Sequence, residues 1–186
     1  WNSAASSWLG PNAEDWVDQA EDRLLIDGRY LIGGQSMGDL RLAFRDVQNA
    51  TNERTFIGAL IPGLPAGNTV PFLSGSLERL TSLSQYLNSF IVDRVLRAKM
   101  SQNHVNWFYA SELPVARAAR KVRPQQQRLV NGLAMNGVIY APYWTLVNPS
   151  ASDRERGWRA QWACTRSERL RGRVLLDAIA TIDFGL

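Results

Sequence analysis

The side chains best suited to recognition chemistry lie in two short polar stretches that are far apart in the sequence. Asparagine and glutamine amides can form paired hydrogen bonds with adenine, and arginine can do the same with guanine. Serine, threonine and histidine bind either bases or phosphates. The same residue types are also common in turns, so spacing alone leaves both readings open. The candidates for contact with DNA are Arg45, Asn49, Asn52 and Arg54 in the first stretch and Gln102, Asn103, His104 and Asn106 in the second.

Catalytic motifs are missing from the sequence. There is no glycine-rich phosphate loop, no Gly-x-Ser-x-Gly elbow and no His-Glu-x-x-His pair. The Asp/Asn-Pro-Pro-Tyr motif of adenine methylases is also absent, because Asn148-Pro149-Ser150 departs from it at the third position. The only cysteine, Cys164, cannot build a disulfide or a Cys-based zinc site within one chain. We therefore predict no catalytic residue, no metal site and no cofactor site in this chain.

Charge is distributed unevenly along the chain. Residues 1–60 contain nine acidic residues and five arginines, a net charge of −4, whereas residues 117–173 contain twelve basic and three acidic residues, a net charge of +9. The C-terminal part is thus where a polyanion is expected to bind. Nineteen of the 21 basic residues are arginine, which suits phosphate and guanine, although codon bias in a GC-rich genome gives the same excess. The predicted phosphate contacts are Arg117, Arg120, Lys121 and Arg123.

The periodicity of apolar residues predicts the elements that position these side chains. Alternation over residues 40–47 predicts a strand, and a second strand over 55–61, closed by Pro62, pairs with it as a hairpin. A short strand follows at 70–73. Spacings of three and four predict one long core helix from Ser76, its N-cap, to Met100. Residues 104–110 are predicted to form a further strand, which ends at Leu113-Pro114-Val115.

Helices dominate the predictions for the two ends of the chain. A helix is expected over residues 11–23, and Pro124 is expected to bend or divide a helical stretch over 116–135. Residues 140–147 are ambiguous, and 148–157 are expected to form a loop. The terminal helix is predicted over 166–182, and its apolar side is formed by Leu170, Val174, Leu175, Ala178, Ile179 and Ile182.

The predicted fold class is α+β, with a small mixed or antiparallel sheet packed on a long core helix. Three regions are expected: a helical lead-in at 1–39, an α/β recognition core at 40–115 and a basic helical extension at 116–186. The chain opens on Trp1, so it is read as part of a longer protein that continues upstream. No apolar stretch is long enough to span a membrane, and the lone cysteine fits a reducing cytoplasm.

Several short motifs follow one another in a specific order and spacing. They are Leu42-Ala43-Phe44-Arg45-Asp46-Val47, Thr51-Asn52-Glu53-Arg54-Thr55, Ile61-Pro62, Leu87-Asn88-Ser89-Phe90 with Asp93, His104-Val105-Asn106, Leu113-Pro114-Val115, Arg169-Leu170-Arg171, Leu176-Asp177-Ala178-Ile179-Ala180 and Phe184-Gly185-Leu186. Together they resemble the C-terminal specificity regions of large N6-adenine DNA methyltransferases, including fused Type IIG restriction-modification enzymes and methylases of phage-defence systems. The resemblance covers residues 40–186, and 1–39 lie outside it. Asp183-Phe184 stands where the family usually has an apolar residue and tyrosine.

The resemblance implies a division of labour within a larger enzyme. An upstream domain of the same polypeptide binds S-adenosylmethionine and methylates an adenine flipped out of double-stranded DNA. The present region grips the duplex and selects its sequence, and it holds no cofactor itself. The family does not fix base contacts residue by residue, so the eight loop residues named above are assigned to DNA from their chemistry.

Two other functions remain open at this stage. The chain could be an interaction module whose basic C-terminal helices dock a partner subunit, a nuclease or an inhibitor. It could also be a small enzyme that uses His104 with a carboxylate, although a single histidine in a strand-like segment is more often structural. Steep salt dependence of binding to duplex DNA separates recognition of DNA from docking of a protein.

Overall fold

The computed structural model describes residues 38–48, 51–63, 67, 69–117, 123–147 and 161–186. The predicted helix at 11–23, almost all of the lead-in at 1–39 and the whole of the predicted loop at 148–157 lie outside these ranges. The described part has an α+β fold, as predicted. Its elements are the strands β1 (Gly38–Phe44), β2 (Gly58–Gly63) and β3 (Phe72–Ser74) and the helices α1 (Leu77–Leu87), α2 (Phe90–Lys99), α3 (Trp107–Ser111), α4 (Pro124–Ala134), α5 (Ala141–Val147) and α6 (Arg166–Phe184), with a 3-10 turn at Val138–Tyr140.

The sheet is antiparallel and has the order β2-β1-β3. The predicted hairpin is confirmed, since Leu42 of β1 lies opposite Leu60 of β2 and, on its other side, opposite Leu73 of β3. Because β1 is central and covered on both faces, Leu42 and its neighbour Ala43 are both fully buried. Pro62 lies inside β2 instead of closing it, which is tolerated because β2 is an edge strand.

The single long helix predicted over residues 76–100 is wrong, because the chain breaks it at Asn88 and Ser89. Ser76 does cap the first helix, as predicted. The Asn88 amide then donates to the carbonyls of Ser84 (2.7 Å) and Gly58 (3.1 Å), and its oxygen accepts the Gly58 N–H at 2.9 Å. The Ser89 hydroxyl accepts the Val92 N–H and starts α2. Asparagine and serine side chains that compete for backbone groups in this way end one helix and begin another.

The strand predicted over residues 104–110 is also wrong. Only His104 pairs in an extended manner, through an isolated antiparallel bridge to Val47. The chain then turns into α3, because the Asn106 side chain accepts the Tyr109 N–H at 3.3 Å as an N-cap. The aromatic residues that suggested a strand are therefore on a short helix.

The predicted terminal helix is confirmed as α6. It begins with a capping box in which Thr165 accepts the Glu168 N–H and Glu168 accepts the Thr165 N–H, and it ends at Gly185 with φ +77°. Pro124 occupies the first turn of α4, as its missing N–H allows, and the ambiguous stretch at 140–147 is largely helical. Leu133 of α4, Trp144 of α5 and Leu176 of α6 join β1 in one hydrophobic cluster, so the C-terminal elements complete the core.

The orientation of α6 could not be read from its sequence pattern. Its buried side contains two arginines, Arg169 and Arg173, together with Gly172, Leu176 and Ala180. The side formed by most of its large apolar residues faces solvent instead. We call this the α6 outer face, and its exposed residues are Leu170, Val174, Leu175, Ala178 and Ile182.

Gly132 lies where α4 touches the segment before α6. A methyl group on Gly132 would meet the Gln161 carbonyl oxygen at 2.6 Å, and the Gly132 carbonyl already accepts the Ala163 N–H at 2.8 Å. We expect Gly132→Ala to lower the free energy of unfolding by about 1–3 kcal/mol, because backbone must move to admit the methyl group. Urea denaturation measures this. Gly75→Ala is the matched control, since its nearest atom is 3.9 Å away, and an equal effect of both changes contradicts the packing.

Tyr86 makes stability sensitive to alkaline pH. Its ring is buried, its hydroxyl donates to Asp183 Oδ2 at 2.6 Å, and burial together with that carboxylate raises its pKa to about 12. Above the usual pKa of about 10 the unfolded chain releases a proton that the folded chain keeps, so stability is lost as pH rises from 10 to 12. We expect Tyr86→Phe to have a smaller loss of melting temperature over this interval than wild type. Parallel curves for the two proteins contradict this account.

Candidate nucleic-acid interface

The two polar stretches found in the sequence meet in space. Gln48 N–H donates to the Asn103 carbonyl and Val105 N–H donates to the Asp46 carbonyl, both at 2.8 Å, on either side of the bridge between Val47 and His104. Backbone hydrogen bonds thus join a segment that follows β1 to one that follows α2. We call the surface formed by residues 45–48, 51–53 and 101–108 the loop surface.

Most of the predicted DNA contacts within the described residues lie on this surface. Arg45 and Asn52 are half-buried, and the Asn52 amide donates to the buried Gln48 side chain at 3.2 Å. Asn49 lies outside the described residues. The members that are exposed to solvent are Gln102, Asn103, His104 and Asn106.

His104 is held by a carboxylate. Its Nδ1 lies 3.0 Å from Asp46 Oδ2, and its side chain is 55% exposed. A histidine with a carboxylate supplies two of the three members of a nucleophilic triad, but no hydroxyl or thiol among the described residues hydrogen-bonds to this ring. Cys164 lies just before α6, where burial raises the pKa of its thiol, the opposite of what activates a nucleophile. The geometry suits a histidine fixed in orientation so that its other edge can meet a ligand.

Two exposed aromatic residues belong to the loop surface and were missed in the sequence, where they were assigned to a strand. Phe108 is 65% and Trp107 48% exposed. Trp107 packs edge-on against the buried Phe44 ring at 5.2 Å, and Phe108 packs against Tyr109 at 5.4 Å. An asparagine followed by three aromatic residues was the available signal, because an N-cap starts a helix that can present them to solvent. Exposed rings beside amide side chains provide a surface for stacking.

Asp93 fixes the segment that supports the loop surface. This buried carboxylate accepts the N–H groups of Thr55 (2.5 Å) and Phe56 (3.1 Å) through Oδ1 and the Arg97 guanidinium (2.7 Å) through Oδ2. Arg97 then donates to the carbonyls of Asn52 (2.6 Å) and Glu53 (3.0 Å). One acid and one base on α2 therefore hold the backbone of residues 52–56 from both sides.

Arg54, a predicted DNA contact, has an internal position. Its side chain is buried, Nη2 donates to Asp177 Oδ2 at 2.7 Å, and its guanidinium lies 3.3 Å from the centre of the Phe90 ring. Asp177 also accepts the Phe90 N–H, at 2.8 Å. This ion pair joins the loop to α2 and α6, so Arg54 is not among the residues of the loop surface that could contact bases.

The predicted phosphate contacts lie on another part of the molecule. Arg117 is exposed and follows Ala116, which packs against Tyr86 and Ala180. Arg123 is half exposed and pairs with Asp183 in the last turn of α6. Arg120 and Lys121 lie outside the described residues. Among the described residues, neither Arg117 nor Arg123 forms a hydrogen bond or an ion pair with the loop surface.

The fold and the loop surface define an α+β domain with two joined polar loops beyond the end of the central strand of a small antiparallel sheet. Comparison with protein-family models, with curated proteins and with solved structures finds no match. The described helices include none that is long and apolar enough to cross a membrane. Nor do the described residues hold three or more His, Cys, Asp or Glu side chains grouped to bind a metal ion.

Proposed function

We propose that this chain is a DNA-recognition domain that works with an adenine-specific DNA methyltransferase domain of the same polypeptide. The observation that carries the proposal is the pair of backbone hydrogen bonds that join residues 46–48 to residues 103–105. They gather polar side chains from two distant stretches of sequence into a single exposed surface. Such a surface offers several base-reading groups to one stretch of duplex at once.

The chemistry of the loop surface supports base recognition. Gln102 and Asn103 offer amides suited to adenine, Arg45 offers a guanidinium suited to guanine, and His104 is oriented by Asp46. Trp107 and Phe108 add apolar contact area next to these groups. In this proposal S-adenosylmethionine is bound and adenine is flipped by the upstream domain, whereas the present chain selects the sequence and catalyses nothing by itself.

The test is binding of the chain to short random duplexes over a series of salt concentrations, with S-adenosylmethionine turnover assayed in the same samples. The proposal predicts binding without turnover, and a logarithm of the affinity that falls linearly with the logarithm of salt concentration by about 0.9 per phosphate contacted. Absence of binding even at low salt overturns it for the isolated chain. Turnover in these samples overturns the assignment of catalysis to another domain.

A second candidate function, docking of a helical segment, is favoured by the α6 outer face. Its apolar residues are exposed, and Arg166 and Arg171 on the same helix are exposed as well. The occupant that we propose is an acidic amphipathic helix. Residues 11–23 of this chain have that chemistry, with five acidic residues, one arginine and the apolar Trp16, Val17 and Ala20. Opposite charges on the two surfaces give such an apolar contact specificity.

Amide hydrogen exchange tests this contact in the intact chain. We expect Val174→Lys to speed exchange in residues 11–23 while leaving the core strands unchanged, because Val174 is exposed and contributes little to the core. If exchange in residues 11–23 is the same in both proteins, the α6 outer face does not hold that segment. Unchanged duplex binding by Val174→Lys shows that the two candidate functions use separate surfaces.

A further inference from the structure

A small cavity lies where the loop after β1, the end of α1 and the buried side of α6 come together. Its volume is about 20 Å³, which is room for one water-sized atom. The cavity is separate from both the loop surface and the α6 outer face. The cavity is lined by Arg54, Gln85, Asn88, Arg173, Leu176 and Asp177.

Three of the lining residues carry hydrogen-bond donors that have no acceptor among the described residues. These donors are Arg54 Nη1, Arg173 Nε and Gln85 Nε2. The three residues are only 9%, 8% and 3% exposed, so bulk water does not solvate these groups freely. A buried donor without an acceptor costs about 1–3 kcal/mol, and more when it is charged, so three around one cavity require an explanation.

Two acceptor groups that line the cavity already have partners. Asp177 accepts from Phe90 N–H and from Arg54 Nη2, and the Asn88 oxygen accepts from Gly58 N–H. The buried polar side-chain atoms of the lining that lack a partner are all donors. An oxygen that only accepts hydrogen bonds, as in an oxyanion, suits these donors, whereas a water molecule also needs acceptors for its own two hydrogens.

Positive charge exceeds negative charge around the cavity. Arg54 is neutralised by Asp177, but the partner of Arg173 is Glu53, whose side chain is 52% exposed and therefore screened by water. Arg169 is buried one turn before Arg173 on α6. Its burial, and secondly the nearby Arg173 charge, lower the Arg169 pKa to about 10, so a second guanidinium lies near that of Arg173.

We propose that this cavity binds one oxygen of a phosphate group, with Arg54, Arg173 and Gln85 as its donors. Paired guanidinium groups suit the several oxygens of phosphate, and the small volume admits one oxygen while the rest of the group stays at the mouth. The phosphate comes either from a DNA backbone or from a small molecule. The site itself stands on the contacts above and does not rest on the proposed DNA function.

Gln85→Glu is the sharpest variant, because it replaces the Gln85 donor with a carboxylate that competes with phosphate for the two arginines of the cavity wall. We expect the melting temperature of the wild-type chain to be roughly 3–6 °C higher in sodium phosphate than in sodium chloride of equal ionic strength, when the phosphate concentration is about ten times its dissociation constant. The variant is expected to melt higher than wild type in chloride and to gain nothing further from phosphate. Gln125→Glu, which adds the same charge on an exposed turn of α4, is the control and retains the phosphate response.

Duplex DNA in the same series identifies the source of the phosphate. If phosphate competes with a short duplex and Gln85→Glu weakens duplex binding, the group is a DNA phosphodiester. If the wild-type chain binds phosphate while its duplex binding is absent or unaffected by Gln85→Glu, the ligand is a small phosphate compound. Equal melting temperatures of the wild-type chain in phosphate and in chloride overturn the proposal, and the occupant of the cavity is then a water molecule.

Discussion

Replacing Asp93 by alanine is expected to lower the free energy of unfolding by about 3–5 kcal/mol, the largest effect of any single change considered for this fold. Asp93 is 3% exposed and is the common acceptor for Thr55 N–H, Phe56 N–H and Arg97. Its removal leaves two buried N–H groups without their acceptor and takes away the carboxylate that pairs with Arg97. Each loss carries the full desolvation penalty of the group that remains.

Urea denaturation of Asp93→Ala and wild type measures this effect. Glu112→Ala is the matched control, because Glu112 pairs with Lys99 at 3.0 Å but both side chains are exposed. We expect that control to cost less than about 1 kcal/mol. If Asp93→Ala costs no more than Glu112→Ala, Asp93 does not organise residues 52–56 and the support assigned to the loop surface is wrong.

The double variant Gln102→Ala/Asn103→Ala is expected to lower the affinity for duplex DNA by about 10- to 100-fold or more, since a good amide contact to a base is worth about 1–3 kcal/mol. Both side chains are exposed, and the hydrogen bond that joins Asn103 to Gln48 uses the Asn103 backbone carbonyl, which alanine keeps. Stability is therefore expected to change by less than about 1 kcal/mol.

Fluorescence anisotropy with a labelled duplex gives the affinity, and thermal melting confirms that the variant is folded. The matched control is Gln125→Ala/Gln127→Ala, which removes two amides from α4 and is expected to bind duplex like wild type. An equal loss in both variants, or no loss in either, places DNA binding away from the loop surface.

The features predicted correctly from the sequence are those set by neighbouring residues. The β1-β2 hairpin follows from alternating apolar residues on either side of a polar loop, and α6 follows from its spacing and from the Thr165 and Glu168 caps. The residue types of the loop surface were visible too, because Asn, Gln, His and Arg can be read directly from the sequence.

The features that sequence reasoning missed depend on contacts between distant residues. The helix break at Asn88 depends on a hydrogen bond with Gly58, thirty residues earlier. The periodicity of residues 76–100 therefore could not predict it. Arg54 is drawn inward by Asp177, 123 residues later. The two polar loops are likewise joined by tertiary contacts. These are hydrogen bonds between backbone groups, so the pattern of side-chain types does not predict them.

Arg169 and Arg173 show why the distribution of charge along the chain does not by itself predict where a polyanion binds. Both belong to the basic segment at 117–173, yet the fold buries them against α4 and the loop after β1. A count of charges along the chain treats them as available to a polyanion. The apolar side of α6 faces outward for the same reason, because tertiary packing selected the side that carries arginine and glycine.

The most direct measurement of the central claim, that the loop surface reads base sequence, is selection of bound duplexes from a random pool by the wild-type chain and by Gln102→Ala/Asn103→Ala. The account predicts that wild type enriches a short sequence and that the variant loses or alters it at one or two positions. Enrichment of no sequence by wild type, or of the same sequence at the same strength by the variant, contradicts it.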